Sequence, residues 1–334
     1  MPIGQSLLRR WRVRHPGSCG WASLCIGSVL LLFHLLPPTA TLWPGATTSM
    51  SEERPDSREI LRRPPPPADH RLAYGKAPQQ FGELRLPKGP AGAAVPVVVV
   101  IHGGCWLAEY GHEYMGHLSA DLTAGGVATW TLEYRRLGEE GGGWPGTFDD
   151  IADGIDHLRR LARDYPLDLR RVVVTGHSAG GHLTLWAGGR GKLPKESPLY
   201  RANPLPLVGL VPIAGLTDLT RTGTACDAEL PRIRGPLESL TETSPLAMLP
   251  LGLPVTLIQG EADTAVPALQ ATSYATAAAA KGDSPQLVLL PDADHFVVVD
   301  PKSSVWPRIR TEILALAKGR PSDANRSPER TSPQ

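Results

Sequence analysis

The sequence predicts an α/β fold with a mostly parallel central sheet and helices on both faces. Runs of apolar and β-branched residues, at 96–101 and 171–175, are typical of strands buried on both faces. Helical patterns alternate with these runs, which indicates parallel strands joined by crossover helices. Polar residues and glycines follow the strands directly, as expected where the carboxyl ends of parallel strands form a site.

Size and composition are consistent with one domain. The chain has 334 residues, of which 41% are hydrophobic, so it can bury one large core. Its formal net charge is +1, and because there is no basic excess, no nucleic acid is expected as a partner. The sequence assigns no oligomeric state.

The two ends of the chain differ from the rest. Residues 1–49 carry four arginines, an apolar run at 21–36 and then two prolines, which is the layout of a secretory signal peptide or a membrane anchor. We therefore expect export or anchoring, with any membrane association confined to residues 1–49. Met50 begins an ordinary polar N-terminus, however, and a start there would leave a cytoplasmic protein. Residues 319–334 are polar, contain proline and are predicted to be disordered.

The domain itself is predicted to span residues 71–318, after a linker at 50–70 that contains a proline tract. Two antiparallel strands are expected near 72–74 and 82–86. The alternation of strands and helices then continues to a C-terminal helix near 303–318.

The strand at 96–101 runs directly into a loop with two glycines, His102-Gly103-Gly104-Cys105-Trp106. Acyl transfer needs backbone N–H groups aimed at the oxygen that becomes negative, and glycines leave room for that approach. We predict that the amides of Gly104, Cys105 and Ala179 form this oxyanion hole. Gly103 and His102 are interpreted as supporting the loop, His102 in a structural role rather than as a proton carrier.

A second glycine motif follows the strand at 171–175 and precedes a helical pattern: Gly176-His177-Ser178-Ala179-Gly180. Strand, sharp turn and helix together are the context of a nucleophile elbow, which strains the serine backbone and exposes its hydroxyl. A Cβ at Gly176 or Gly180 would collide with neighbouring backbone. Ser178 is therefore the predicted nucleophile.

A serine nucleophile needs a base and an orienting acid, and the last two strands end in suitable residues. The strand at 253–260 is followed by Asp263, and the strand at 286–291 by His295. Because the chain order serine, acid, histidine fits this type of sheet, Asp263 and His295 are the predicted acid and base. The alternatives are Glu261 or Asp218 as the acid and His157, His177 or His182 as the base.

The cysteines and histidines indicate neither a disulfide nor a metal site. The four cysteines, at positions 19, 25, 105 and 226, show no paired spacing. Cys105 is interpreted as a packing residue, since Ser178 makes a cysteine nucleophile unnecessary. His112 and His117 lack the i,i+4 spacing of a helical metal pair, and no metal or other cofactor is implied.

The substrate pocket is expected to be shallow and open. The segment at 220–251, between two predicted strands, is too short for a large helical cap domain. Trp106 and Trp144 are candidate aromatic walls of the pocket, although tryptophan also commonly packs in a core.

These motifs together resemble the α/β-hydrolase superfamily, and within it the esterase and arylformamidase-like group that carries an H-G-G-x-W oxyanion motif. The resemblance covers residues 71–318. It implies a triad of Ser178, Asp263 and His295 and the hydrolysis of small acyl groups without a metal. It does not fix the substrate, because one fold and one triad serve esters, amides and peptides.

We therefore expect a serine hydrolase that cleaves esters or amides of small acyl groups through an acyl-enzyme intermediate, with carboxylesterase activity the leading expectation. An arylformamidase acting on substrates such as N-formylkynurenine is the close alternative. An aminopeptidase-like serine peptidase is a further one. A non-catalytic binding protein on the same scaffold is disfavoured, because the serine, the acid, the histidine and both oxyanion glycines are present.

Overall fold

The computed structural model describes residues 56–89 and 92–319. The predicted signal peptide or anchor at 1–49 lies outside the described residues, as does the predicted disordered tail beyond Gly319. Within the described ranges, no helix combines the length and the apolar character that a bilayer crossing requires.

The described chain forms one sheet of eight strands in the order β1-β2-β4-β3-β5-β6-β7-β8. β1 pairs antiparallel with β2, and β2 antiparallel with β4, whereas all later neighbours are parallel. The strands are β1 (His70–Ala73), β2 (Phe81–Arg85), β3 (Val95–Ile101), β4 (Ala128–Leu132), β5 (Leu167–His177), β6 (Gly209–Ile213), β7 (Thr256–Gly260) and β8 (Gln286–Leu290).

Helices cover both faces of this sheet. They are α1 (Met115–Ala124), α2 (Gly146–Asp156), α3 (Leu158–Leu161), α4 (Ala179–Gly189), α5 (Leu230–Arg234), α6 (Leu240–Thr243), α7 (Leu269–Ala280) and α8 (Trp306–Lys318). Short 3-10 helices lie at Ser57–Leu61, Arg190–Lys192, Leu237–Ser239 and Val297–Val299.

The two faces of β3 show how the core is divided. Successive side chains of a strand point to opposite faces. Val97 and Val99 accordingly pack with α2, α4 and α7, whereas Val98 and Val100 pack with α1 and α8. This arrangement confirms the predicted α/β fold with a mostly parallel sheet. Between β6 and β7 the described chain holds only α5, α6 and a 3-10 helix, so no large cap domain is present there.

The segment before β1 belongs to the domain, which corrects the predicted linker at 50–70. Ile60 is only 1% exposed and packs in the cluster with α1 and α8. Arg63 forms an ion pair with Asp300 at 2.7 Å, and both side chains are largely shielded from solvent. The domain therefore begins before Arg71, because a 3-10 helix ahead of the proline tract contributes to its core.

Candidate active site

Ser178 lies in a strained turn between β5 and α4. Its φ of 57° and ψ of −119° fall outside the regions that a non-glycine residue favours, at a cost of about 1–3 kcal/mol. Surrounding contacts impose this conformation. The amide of Ser178 donates to the carbonyl of Ile213 at 2.9 Å, and its own carbonyl accepts from the amide of His182 at 3.1 Å.

The turn is crowded by backbone on both sides of the serine. A Cβ added at Gly176 would lie 2.4 Å from the carbonyl oxygen of Gly180, and one added at Gly180 would lie 2.2 Å from that of Ile101. These distances confirm the predicted collisions. A Cβ at Gly103 would lie 2.8 Å from the Cβ of Ser178, so the loop after β3 also passes directly beside the serine.

His295 is held by Asp263. The Nδ1 of His295 lies 2.7 Å from Oδ2 of Asp263, and the carboxylate also accepts the amides of Ala265 and Val266 at 2.8 Å each. Because the carboxylate can only accept, Nδ1 carries the proton and Nε2 of the neutral ring is an acceptor. That is the tautomer a general base requires.

The alternative residues of the sequence analysis have other partners. Asp218 accepts from the amide and the hydroxyl of Thr220, and the structure does not bring it to His295. Glu261 is exposed. His182 is fully buried against the carbonyl of Thr243, and the ring of His157 stacks on Trp130.

A buried chain of hydrogen bonds joins the loop after β3 to His295. The amide of Gly103 donates to the hydroxyl of Tyr114 at 2.7 Å, and that hydroxyl lies 2.9 Å from Nδ1 of His177. The Nε2 of His177 faces the carbonyl of His295 at 2.8 Å and must donate to it. Burial, with the nearby charge of His295, lowers the pKa of His177 well below its usual value, so the ring is neutral. Tyr114 and His177 thus connect two parts of the site through defined donors and acceptors.

The loop after β3 has an unusual backbone. Gly104, Cys105 and Trp106 have successive φ values of 99°, 50° and 58°, all in the left-handed region. Within the described ranges, the amides of Gly104, Cys105 and Ala179 have no hydrogen-bond partner. Ala179 is the first residue of α4, where free amides and the helix dipole favour negative charge. Three unoccupied donors therefore lie around Ser178.

A buried charged cluster lies behind this loop. The carboxylate of Glu133 contacts Nε2 of His102 at 3.0 Å and Nδ1 of His112 at 3.0 Å. His102 is fully buried and its Nδ1 faces the carbonyl of Gly103 at 2.8 Å, so it braces the loop from behind. The sequence analysis assigns no role to Glu133.

The charges of this cluster shift the ionisation of its members. Burial alone would lower the pKa of His112, but the hydrogen bonds that it donates to Glu133 and Glu83 raise it to about 9. Burial would likewise raise the pKa of Glu133, but the charge of His102 and the hydrogen bonds from His102 and His112 hold it far below its usual value. His112 and Glu133 are therefore both charged at neutral pH.

The structure corrects the expectation that the cysteines are unpaired. Cys105 and Cys226 form a disulfide across a sequence separation of 121 residues. No spacing rule can find such a pair, because it depends on the loops after β3 and β6 meeting above the sheet. The bond attaches the loop beside Ser178 to the segment between β6 and β7. Within the described ranges, no group of three or more histidine, cysteine or acidic side chains is placed to hold a metal ion.

Ser178 and His295 open into one cavity of about 340 Å³. Gly104 and Cys105 lie on its wall. Trp106 and Trp144 do not. Trp106 is fully buried and packs edge-on against His182, whereas the ring of Trp144 packs on Gly235, where an added Cβ would lie 2.6 Å away. The wall includes residues that sequence reasoning did not find: Arg58, Leu61, Leu107, Tyr110, Tyr114, Ala225, Cys226, Ala265 and Val266.

Comparison with known proteins places this chain among hydrolases. The BD-FAE family model matches residues 83–277, which is more than half of the chain. An uncharacterized peptidase, YuxL, of Bacillus subtilis is 29% identical over 210 residues, which cover 60% of this chain and 31% of that protein. The acylamino-acid-releasing enzyme of Mus musculus is 26% identical over 252 residues, 69% of this chain and 32% of that enzyme. The chain thus spans about a third of the length of these relatives.

A solved structure shares the fold. Esterase B from Lactobacillus rhamnosis in an inhibited form superposes with a TM-score of 0.68 at 22% identity, over 79% of this chain and 91% of that one. The likeness shows that the sheet and helices described above are those of the α/β-hydrolase fold.

Proposed function

The chain belongs to the BD-FAE family and has the α/β-hydrolase fold of serine esterases, and from this premise we propose that it hydrolyses esters of small acyl groups with Ser178 as its nucleophile. One observation carries the proposal. A single cavity holds a serine on a strained elbow and a histidine whose far nitrogen is bound to a buried carboxylate.

The geometry supports a two-step reaction. His295 Nε2 takes the proton of the Ser178 hydroxyl as its oxygen attacks the ester carbonyl carbon, and Asp263 stabilises the imidazolium that forms. The free amides of Gly104, Cys105 and Ala179 donate to the oxygen that becomes negative. The intermediate then collapses, and His295 returns the proton to the leaving alcohol. Water, deprotonated by His295, then attacks the acyl-enzyme. The bond between the acyl carbon and the Ser178 oxygen breaks, His295 returns the proton to that oxygen, and the carboxylic acid leaves.

The cavity supports a small acyl group. A volume of about 340 Å³ is at the lower end of ligand sites, and part of it must admit the leaving group. Each further methylene of an acyl chain gains about 0.8 kcal/mol only where it can be buried. We therefore expect kcat/KM to fall from acetyl and butyryl esters towards decanoyl esters.

Amide hydrolysis is the second candidate. It is favoured by the relatives whose names describe a peptidase and an acylamino-acid-releasing enzyme. The arylformamidase alternative stays a prediction.

The disulfide supports export of the protein, since such bonds persist mainly in oxidising compartments.

Covalent labelling with an organophosphonate tests the nucleophile, and a substrate panel tests the reaction. We expect one label per chain in the wild type and in Ser57→Ala, and none in Ser178→Ala, which should also lose on the order of 10⁶-fold in kcat. The panel comprises acetyl to decanoyl esters, aryl formamides and acylated aminoacyl amides. Labelling that persists in Ser178→Ala would disprove the assignment, and a preference for amides or formamides would move the protein to that alternative.

A further inference from the structure

The cavity beside Ser178 is closed on one side by the segment before β1. The 3-10 helix Ser57–Leu61 contributes two side chains to the wall, Arg58 and Leu61. Residues three apart eclipse one another in a 3-10 helix, so both side chains leave the same face. Arg58 therefore lines the cavity because the helix presents this face to it.

Several contacts fix this helix in place. Ile60 is buried in the core, and Arg63 pairs with Asp300 at 2.7 Å. At the start of the helix, Asp56 accepts the amide of Arg58 at 3.0 Å. Arg58 is thus the exposed end of a built element rather than a side chain on a free terminus.

The charge of the Arg58 guanidinium contributes to lowering the pKa of Asp56, but the two side chains form no ion pair in the part of the chain that the structure describes. Within the described ranges the guanidinium donates no hydrogen bond and forms no ion pair. The neighbouring carboxylate of Asp56 is occupied by the side chain of Arg62 at 3.1 Å and by the amide of Arg58. These hydrogen bonds, that of Arg62 first, lower the pKa of Asp56 and keep it charged. Five donors of Arg58 remain available.

The charges on the cavity wall are unbalanced. No carboxylate lies among the wall residues, and the only side chains there that can carry a positive charge are Arg58, His177 and His295. His177 is neutral, and His295 accepts a proton in the proposed reaction. Leucine, valine and aromatic residues make up half of the remaining wall, and the other half consists of alanine, glycine, the two cysteines of the disulfide and Ser178. An apolar cavity with one unpaired guanidinium at its edge is complementary to a ligand that is apolar near the serine and anionic at its far end.

We infer that Arg58 selects esters that carry a carboxylate away from the scissile bond. The inference rests on the proposed function and names the class of substrate for the same site. A guanidinium binds a carboxylate through two parallel hydrogen bonds. Because Arg58 is exposed in the free protein, the gain is modest, and we expect about a tenfold preference in kcat/KM over a neutral ester of equal size.

The test compares matched pairs of esters. In one pair the charge is on the leaving group, 4-acetoxybenzoate against 4-acetoxybenzamide. In the other pair it is on the acyl group, an aryl monoester of adipic acid against the corresponding ester of its monoamide. The ratio of kcat/KM within each pair shows on which side of the scissile bond Arg58 binds the carboxylate.

Substitutions of Arg58 test whether this residue causes the preference for the charged ester. We expect Arg58→Gln to lower the ratio for one pair about tenfold, Arg58→Lys to retain part of it, and Arg58→Glu to reverse it. Salt should lower the wild-type ratio, because the contact is exposed. Arg62→Gln is the matched control: it removes an equal charge from the same segment, outside the cavity wall, and should leave both ratios unchanged. Arg58→Gln and Arg62→Gln are compared in an Asp56→Asn background, in which asparagine still caps the helix and no freed carboxylate can pair with Arg58.

The outcomes separate this inference from the proposed function. Hydrolysis of the neutral esters with no preference for either charged partner, or an equal change in Arg58→Gln and Arg62→Gln, would overturn the role of Arg58 alone. If no ester of either pair is hydrolysed and Ser178 takes no phosphonate label, the proposed function fails, and the inference fails with it.

Discussion

Two of the carboxylate and histidine contacts in this domain, one at the cavity and one behind the loop after β3, can be compared directly. Asp263 binds His295 at 2.7 Å, and Glu133 binds His102 at 3.0 Å. The residue types and distances are similar, yet only His295 opens into the cavity. Both nitrogens of His102 face oxygen acceptors, whereas His295 keeps one nitrogen for the substrate side. A histidine paired with a carboxylate can therefore act as a proton carrier only if its second ring nitrogen faces the cavity, and otherwise it has a structural role.

The largest expected effect comes from the pair at the cavity. Asp263→Asn keeps the size of the side chain but presents an amide that can no longer hold Nδ1–H or stabilise the imidazolium. We expect kcat to fall about a thousandfold or more with little change in the unfolding temperature. Asp218→Asn is the control, since its carboxylate binds Thr220 instead of a histidine. A loss in Asp218→Asn with near-normal Asp263→Asn would assign the acid to the other strand.

The contact between His112 and Glu133, in the same cluster behind the loop, should affect stability and its pH dependence. The pKa of His112 is raised to about 9 in the folded protein and is about 6.5 when unfolded. Its contribution is therefore fully present below pH 6.5 and is lost as the pH rises through 9. The shift corresponds to about 3 kcal/mol.

Denaturant unfolding between pH 6 and 9.5 measures this loss. His112→Gln should flatten the decline across that window, because the titrating group is gone. His117→Gln, a change in the helix that follows His112, should leave the decline in place. A decline that is equally steep in His112→Gln would show that another group causes it.

The smallest effect is expected at the connection between the two sides. Tyr114→Phe removes the hydroxyl that joins the Gly103 amide to His177, and with it the support of both the loop and His295. We expect kcat to fall about tenfold with KM nearly unchanged, since the bond positions reacting groups without touching the substrate carbonyl.

Tyr74→Phe is the matched control for that change. Its hydroxyl likewise forms a short hydrogen bond, donating to the backbone carbonyl of Glu133 at 2.7 Å, but it does not line the cavity. Both variants should lose similar stability. Equal losses of kcat in the two would mean that Tyr114 acts only through the fold.

The same contrast explains what the sequence could predict. The placement of Ser178, Asp263 and His295 beside one another follows from the sheet, because each comes directly after a parallel strand and those strands end at one edge. The glycine motifs could be predicted equally well, because the tight turns in which they lie leave no room for a side chain. These positions depend on local chain and strand order alone.

The residues that depend on loop paths could not be predicted. Tyr114 and His177 are 63 positions apart, and Arg58 reaches the cavity from a segment read as a linker. Trp106 has a φ of 58° and packs in the core instead of on the cavity wall. The position of each of these residues depends on loop conformation, which cannot be predicted from hydrophobic periodicity or residue spacing.

The Cys105–Cys226 bond closes part of the chain into a covalent ring. Ser178 lies within the ring, whereas Asp263 and His295 lie outside it. A protease that cuts once inside the ring, at exposed residues such as Lys195 or Glu196, leaves the two fragments attached until a thiol reductant is added. After a cut between Cys226 and Asp263, no covalent link joins the nucleophile to the acid and the base. The disulfide thus keeps the two fragments covalently connected after a cut inside the ring, but not after a cut outside it.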